Sequence, residues 1–398
     1  MIGQYRVNIY HPQTGALEAT VEDWQRLNMK QVLNGIGTCT MQLYGGHPAI
    51  PYLVNNALIE VWRQIPGYAP AAVPAIRQRT GNWYCEWNGL FTDYSESIFS
   101  NGNDVYTAYC DGLVDLLQRR EILWYATEIA SESKKVAIPA QTAMYEFVEE
   151  NCGASAVAGA PGVGRLFTGT ITGLAIPVLT GAGDNWSGQR AWMNVLETLQ
   201  LLANYGDIDF DVISTGGGNY AFLTYPDQLG EDRTTTGLDP TTGLNAAGYP
   251  PVIFSLELDN ISEITLSTSR AASKNIVVTP GKGEYTARAV GTSTDLTDID
   301  ARRLNQRELV RNANTQDSAN ELDNLADEWR IKLEYSEDFK FTPLITDSTL
   351  YGVHYWFGDK MTGRFKTLER NKRLTGLSIV VDRNGEQFSG WEFETLPL

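Results

Sequence analysis

Residues 318–381 read SANELDNLADEWRIKLEYSEDFKFTPLITDSTLYGVHYWFGDKMTGRFKTLERNKRLTGLSIVV, and their pattern changes midway from helical to extended. The segment begins with Ser318-Ala319-Asn320-Glu321, a possible capping box in which the Ser hydroxyl and the Glu carboxylate each accept from a free helix N–H. Apolar residues then recur at helical spacing, which predicts one buried helix face: Leu322, Leu325, Ala326 and Trp329.

The second half of this segment predicts a β-meander. Tyr351–Phe357 is aromatic and strand-like, and Gly358-Asp359-Lys360-Met361 has the composition of a turn leading into another strand. Further strands are expected through Arg364–Lys366 and Leu377–Val381. A helix followed by a meander is therefore the local prediction.

Length, composition and charge limit the possible classes of protein. The chain has 398 residues, enough for two to four domains, and 42% of them are hydrophobic, so a substantial core can form. Its 37 glycines and 19 tyrosines favour turns and aromatic strands. The formal net charge of −17 argues against sequence-independent nucleic-acid binding and against docking on an anionic membrane.

Neither a leader nor a membrane-spanning segment is expected. Met1–Arg6 lacks the basic start and long apolar run of a signal peptide, and no segment approaches about 18 apolar residues. No CxxC pair occurs among the four cysteines, so we expect buried free thiols and synthesis in a reducing cytoplasm. These residues are Cys39, Cys85, Cys110 and Cys152.

Residues 1–112 predict a first barrel-like β module. Alternating or apolar runs are separated by turn signals such as Asn34-Gly35, Asn88-Gly89 and Asn101-Gly102. The expected strands are Tyr5–Tyr10, Ala16–Val21, Thr38–Tyr44, Ala57–Arg63, Trp83–Phe91 and Asp104–Cys110.

Residues 113–255 predict an α+β insertion. Three helices are expected, around Leu113–Leu117, around Met144–Val148 and from Trp192 to Leu202, the last with Gly206 as its stop. Strands Ile208–Ile213 and Tyr220–Tyr225 follow, joined through Gly216-Gly217-Gly218. Segments 153–183 and 230–251 are rich in Gly, Thr and Pro and predict long surface loops.

Residues 256–398 predict a second barrel-like β module that contains the helix of the opening segment. Its further strands are Ile261–Ser267, Asn275–Thr279 and Tyr285–Val290. The predicted fold class is therefore mainly β, with two barrel-like modules flanking a mixed middle domain.

Two sets of aspartates are candidate metal ligands, although each set has a simpler interpretation as solvated acids. Asp207, Asp209 and Asp211 alternate along one strand, which places three carboxylates on one face. Calcium accepts such oxygen ligands, but usually from a loop that wraps around it. We interpret these residues as a solvated strand edge, and Asp295, Asp298 and Asp300 as solvated acids in a polar connection.

Familiar catalytic patterns are missing. Gly159–Arg165 lacks the Lys and Ser/Thr of a phosphate-binding loop, which favours a flexible loop. No metal-ligating or GxSxG spacing occurs, and acid pairs such as Glu149-Glu150 or Glu334 with Asp338 are expected in any acidic protein. The histidines lie far apart in sequence: His11, His47 and His354. We therefore predict no catalytic, cofactor-binding or metal-binding residue.

Four tryptophans could form a sugar-binding platform, although tryptophans in β modules more often belong to a core or a subunit interface. They are Trp83, Trp87, Trp356 and Trp391.

Taken together, three segments resemble the tail-hub proteins of long-tailed bacteriophages. They are the leucine-spaced helix with its aromatic Tyr351–Lys360 sequence, the Tyr5–Tyr10 strand and Cys110–Arg120, in the family's order along the chain. The resemblance implies a structural protein without enzymatic activity, located at the tail tip of a virion and assembled in the host cytoplasm. It also implies a ring, expected to be trimeric, in which two tube domains per subunit match the sixfold tube above.

The expected partners are other copies of this chain, the distal tail protein, the tape-measure protein and tip or fibre proteins, with DNA passing through the ring. Three alternatives stay open: a distal tail ring protein, a tail-associated cell-wall hydrolase and a receptor-binding module. Because the chain ends at Leu398 soon after its last strands, an appended hydrolase or fibre domain is not expected.

Overall fold

The computed structural model describes residues 3–124, 133–159, 164–176 and 181–395. Within these ranges the chain forms 22 β-strands and four α-helices, so the predicted mainly β class is confirmed.

The N-terminal segment is entirely β apart from short single turns of helix. Its strands are β1 Gln4–Tyr10, β2 Leu17–Val21, β3 Arg26–Val32, β4 Thr38–Tyr44, β5 Leu58–Gln64, β6 Tyr84–Ile98 and β7 Asp104–Gly112.

The middle segment mixes helices and strands, as predicted. Its elements are α1 Asp115–Gln118, β8 Ser133–Pro139, α2 Ala140–Asn151, β9 Leu174–Ala175, β10 Asn185–Arg190, α3 Val195–Gly206, β11 Ile208–Gly216 and β12 Asn219–Pro226.

The C-terminal segment returns to strands around one long helix. Its elements are β13 Asp232–Arg233, β14 Ile253–Ser255, β15 Ile261–Ser269, β16 Ile276–Pro280, β17 Val290–Thr294, β18 Glu308–Val310, α4 Ala319–Lys332, β19 Ser336–Pro343, β20 Lys360–Phe365, β21 Leu368–Asp382 and β22 Gly385–Thr395.

One large sheet unites the two ends of the chain. Its strand order is β13-β20-β21-β3-β4-β7-β6-β5-β1-β2, with β14 also on β20 and β22 also on β21. The junction between the two ends is the antiparallel pair β21–β3, in which Ile379 lies opposite Met29. The sheet thus combines strands from both predicted outer modules. The boundaries after residues 112 and 255, and barrel-like closure of each module, stay predictions.

The middle segment has its own core beside this sheet. Helix α3 packs on β11, α2 packs on α3 and on the β8–β10 pair, and together these elements enclose residues such as Phe147, Trp186 and Phe222. Helix α3 begins at Val195 because the Asn194 side chain caps it by accepting from the Leu196 N–H. The prediction that this helix includes Trp192 is wrong, since Trp192 has a φ of 57° and lies before the cap.

The large core under the main sheet contains three of the four candidate tryptophans. Trp87, Trp356 and Trp391 belong to this core, which confirms the interpretation of these tryptophans as core residues. All four cysteines are free and buried, also as predicted.

Two predicted strands are wrong. Tyr351–Phe357 forms tight turns, because Tyr355, Trp356 and Phe357 are consecutive and all buried, whereas a strand would send neighbours to opposite faces. Gly352, with a φ of 88°, makes the first turn possible by donating to the Tyr355 carbonyl. Tyr285–Val290 contains a single 3₁₀ turn at Tyr285–Ala287 instead of a strand.

The predicted capping box is also wrong. Ser318 occupies the N-cap of α4 but makes no side-chain capping bond. Glu321 instead directs its carboxylate to the Lys134 ammonium, 2.9 Å away on β8. The acid therefore joins α4 to the middle segment rather than closing its own first turn.

Candidate functional site

Strand β11 carries the most informative charged groups in the molecule. Asp209 is buried, and Asp211 is half-buried between β11 and the loop that follows β5. The prediction of a solvated strand edge is therefore wrong for these two residues. Asp207 does not share their face, because it ends α3 in a left-handed conformation with a φ of 49°.

Asp209 is held by groups from distant parts of the chain. Its carboxylate pairs with Nη1 of Arg373 at 3.0 Å, accepts from the Leu229 N–H at 2.7 Å and accepts from the Asn34 amide at 3.0 Å. Burial raises the pKa of Asp209, and the Arg373 guanidinium opposes that rise. The carboxylate thus links β11 to β21 and to the turn after β3.

Asp211 makes a second link of the same kind. Its carboxylate pairs with the Arg77 guanidinium, which also lies 5.4 Å over the Trp356 ring. Burial raises the pKa of Asp211 and Arg77 lowers it. We name the pairs Asp209–Arg373 and Asp211–Arg77 the junction pairs, because together they fix the middle segment on the main sheet.

A third ion pair explains the Gly-Asp-Lys motif. The Asp359 carboxylate accepts from the Glu231 N–H at 2.7 Å and from the Trp356 N–H at 2.9 Å, and it pairs with Nε of Arg233 at 2.9 Å. Burial raises the pKa of Asp359 to about 6. Asp359 therefore ties β13 to the aromatic turns that precede β20.

A buried network around Arg63 joins the first and last strands. Arg63 is 2% exposed, and its guanidinium donates to both carboxylate oxygens of Glu386 at 3.0 Å and to the Tyr351 carbonyl at 3.0 Å. Its Nη1 also contacts the Tyr84 hydroxyl. Glu386 accepts in addition from the Tyr5 hydroxyl at 2.7 Å. Sequence inspection missed this network, since its members are spread over the whole chain.

These networks suit the positioning of elements better than catalysis. Each carboxylate described above is engaged by a guanidinium and by further donors, so none is poised as a free general base. Buried ion pairs of this kind add geometric specificity more than net stability.

The other predicted candidates are dispersed. His47 Nε2 lies 3.0 Å from Asp23, whereas Nδ1 of His354 and Nδ1 of His11 each accept from a nearby backbone N–H. Across the part of the chain that the structure describes, no group of three or more His, Cys, Asp or Glu side chains could hold a metal ion.

The remaining acids and loops have local partners. Asp298 pairs with Arg270, Asp295 accepts from Thr297, and Asp300 is exposed as predicted. Glu150 binds the Lys135 ammonium at 2.5 Å, and Glu149 accepts from Ser155. Glu334 lines a surface pocket with Arg270, whereas the side chain of Asp338 lies outside the described residues.

Both glycine-rich segments agree with a loop interpretation where they are described. Residues 216–218 join β11 to β12, which confirms the predicted hairpin connection. Residues 160–163 of the Gly159–Arg165 segment lie outside the described residues, while Arg165 is buried and donates to Asn151 at 3.1 Å. No helix among the described residues is long and apolar enough to span a membrane.

Comparison with solved structures identifies the fold. The chain matches the 43 kDa tail protein of prophage MuSo2 from Shewanella oneidensis with a TM-score of 0.53 and 10% identity, covering 99% of this chain and 98% of that one. It matches the tail protein from Neisseria meningitidis MC58 with a TM-score of 0.51 and 10% identity, covering 98% and 96%. No curated protein matches the chain.

The family comparison agrees with these folds. The model of the family described as "Siphovirus ReqiPepy6 Gp37-like protein" matches residues 6–393, which include both junction pairs, Asp359 and Arg63. The chain has the fold of solved phage tail proteins, which agrees with the predicted resemblance, and it belongs to the family described as Siphovirus ReqiPepy6 Gp37-like protein.

Proposed function

We propose that this chain is the structural hub subunit at the distal end of a siphovirus tail. Three copies form a ring that closes the tail tube, connects it to tip proteins and opens for DNA passage. The observation that carries the proposal is the family match over residues 6–393, together with a tail-protein fold that covers nearly all of both chains compared.

The interior of the subunit supports a mechanical role. The junction pairs and the Arg63 network connect the middle segment and both chain ends to one sheet. A ring subunit must keep its shape while neighbours bind it, and links between distant segments resist such distortion. The buried tryptophans disfavour a sugar-binding platform, because three of the four candidates contact the core instead of solvent.

The net charge supports passage of DNA through the ring. One chain carries 17 net negative charges, so three carry 3 × 17 = 51. Where part of that charge lines the channel, repulsion of the phosphates keeps DNA from adhering to the wall. A neutral or basic channel surface in the assembled ring would refute this part of the proposal.

The surface segments 153–183 and 230–251 are proposed to contact the distal tail protein, the tape-measure protein and tip or fibre proteins. Deleting residues 237–243, the exposed tip of the second segment, tests this, because it keeps Asn245, whose amide donates to the Asp232 carbonyl beside the main sheet. We expect rings to form but tails to stop growing. Normal infectious particles from this deletion would count against the assignment.

A phage lacking the gene tests the function as a whole. We expect such particles to lack complete tails, and the full-length chain supplied in trans to restore them. Cell-wall zymograms of the purified chain should show no clearing. Complete tails without the chain, or clearing that a single carboxylate change abolishes, would instead favour a receptor-binding module or a hydrolase.

A further inference from the structure

The hairpin formed by β6 and β7 lies at one end of the main sheet, where β6 continues past the end of its neighbour β5 while β7 stays paired with β4. Every residue from Asp93 to Asn103 is exposed, including Tyr94 at 56%, Ile98 at 76% and Phe99 at 54%. The segment 92–105, which we name the acidic hairpin, contains three acids and neither lysine nor arginine. Exposed apolar side chains on a projecting hairpin mark a protein-interaction surface.

One edge of the acidic hairpin is unpaired among the described residues. Strand β5 pairs with β6 only as far as Leu90, whereas β7 pairs with β6 as far as Ile98. Asp93–Ile98 therefore presents backbone donors and acceptors at an open edge. Natural proteins protect such edges with charged side chains, proline or bulges. This edge carries Asp93, Glu96 and a bulge after Phe91, and no lysine or proline, so any partner meets a negatively charged edge.

A second hairpin has the opposite charge. Residues 360–373, which we name the basic hairpin, contain six lysines and arginines and a single acid. Lys372 and Arg373 are buried and Arg364 pairs with Glu369, so the exposed cation of the tip is Lys366. Its tip, Lys366-Thr367, is exposed, and Phe365 and Leu368 beside the tip are half-buried. The tip thus offers both a cation and apolar area to a partner.

The two hairpins lie at opposite ends of the same sheet. Strand β21 is antiparallel to β3, β3 to β4, β4 to β7 and β7 to β6, so β21 and β6 run in the same direction. The acidic hairpin follows the end of β6, whereas the tip of the basic hairpin precedes the start of β21. One copy therefore cannot bring its own two hairpins together.

We infer that the acidic hairpin of one copy docks on the basic hairpin of the next copy in the ring. Two different, complementary surfaces at opposite ends of a subunit produce the head-to-tail contacts from which cyclic rings are built. Charge complementarity sets the direction, and Ile98 and Phe99 bury apolar area against Phe365 and Leu368. This inference rests on the proposed ring.

Charge reversal tests the inference on the full-length chain. Asp93→Lys with Glu96→Lys makes both hairpins basic, and Lys366→Glu with Thr367→Glu makes the exposed tip of the basic hairpin acidic. Each double variant should raise the dissociation constant of the ring at least about tenfold, measured by analytical ultracentrifugation. Combining all four changes should restore rings that exclude the unchanged chain, because its acidic hairpin then meets an acidic partner.

The matched control is Glu257→Lys with Glu263→Lys, two exposed acids outside both hairpins. It changes the net charge as much as the first variant and should leave the ring intact. Raising the salt concentration from about 0.05 M to about 0.5 M should raise the dissociation constant of the unchanged ring, since salt screens exposed charges. This increase should be larger than the one that the control variant causes at low salt.

Cysteine cross-linking supplies a second readout. With Ser97→Cys and Thr367→Cys in one chain, oxidation should give a ladder of covalent species that ends at the number of copies in the ring. The four natural cysteines are buried and should not react. In the control chain, Thr241→Cys on a different exposed loop replaces Ser97→Cys, and Thr367→Cys is kept. This chain should give no ladder.

The outcomes separate this inference from the proposed function. Rings that survive both charge reversals and give no hairpin cross-link would overturn the docking contact and leave the ring itself standing. A chain that stays monomeric at high concentration and low salt would overturn both.

Discussion

At the scale of single residues, Arg63 shows how one buried cation can order a large β protein. Its guanidinium satisfies both Glu386 oxygens, the Tyr351 carbonyl and the Tyr84 hydroxyl, which come from separate strands and turns. A planar group with five donors can meet all of these partners, whereas a lysine ammonium cannot reproduce the two-pronged contact.

Arg63→Lys should therefore lower the free energy of unfolding by about 1 to 3 kcal/mol, because the cation is kept but buried acceptors of the network lose their hydrogen bonds. Urea denaturation followed by tryptophan fluorescence measures it. Arg79→Lys, at an exposed arginine 16 positions along the chain, serves as the control and should change little. Equal stability of the two variants would show that the network is dispensable.

Asp359 gives the molecule a defined dependence on pH. Burial raises its pKa to about 6, above the ordinary aspartate value of 3.8. The folded protein then binds more protons than the unfolded chain between about pH 4 and pH 6. The contribution of Asp359 to the free energy of unfolding is therefore largest at low pH and is lost as the pH rises through this window.

Asp359→Asn should reduce this dependence. The amide oxygen can still accept from a backbone N–H, but it does not titrate. Thermal unfolding measured from pH 4 to pH 7 should show a smaller fall in stability with rising pH than in the unchanged protein. An identical slope in both proteins would contradict the assignment of the raised pKa to this carboxyl.

At the scale of elements, the junction pairs decide how the middle segment sits on the main sheet. Asp211 and Arg77 come from β11 and from the loop between β5 and β6, so their attraction acts between the two units. A double-mutant cycle with Asp211→Asn and Arg77→Gln should give a coupling energy of about 1 to 3 kcal/mol.

The exposed pair Arg364–Glu369 is the control for this cycle, with an expected coupling of about 0.5 kcal/mol. In parallel, limited proteolysis should cut the connection 226–232 faster in Asp211→Asn than in the unchanged chain. A coupling energy no larger than that of the control would show that the junction pair does not hold the two units together.

Local pattern predicted many elements and missed their long-range partners. The alternation of apolar and polar residues predicted strand β4, and Gly206 predicted the end of helix α3. By contrast, β3 escaped notice because Asn28, Lys30 and Gln31 make it polar, although Gln31 faces inward and donates to the Glu86 carbonyl. Nothing within residues 26–32 indicates that their partner is β21, near the other end of the chain.

The prediction of a solvated edge on the acidic strand β11 was wrong for a related reason. Period-two spacing shows that Asp209 and Asp211 share a face, but the arginines that cover this face come from distant segments. The period-two spacing therefore shows which side chains share a face, but it does not show whether that face contacts water or a guanidinium. The strand predicted at Tyr351–Phe357 was wrong because three adjacent buried aromatic residues have the composition that is typical of a strand.

At the scale of the whole molecule, a single sheet unites both ends of the chain and presents oppositely charged hairpins at its two ends. Such a subunit has an inherent direction, which a closed ring requires and a twofold dimer does not. The proposed function requires such a direction, because the proposed ring has to match the tube above it and admit DNA through its centre.

Cryo-electron microscopy of purified tails that contain this chain would locate every copy of the subunit. We expect one ring of three copies at the distal end, with the acidic hairpin of each copy on the basic hairpin of the next. Six copies in a ring above the tip would instead identify a distal tail ring protein. A single unassociated copy, or copies distributed along the tube, would overturn the proposed hub function.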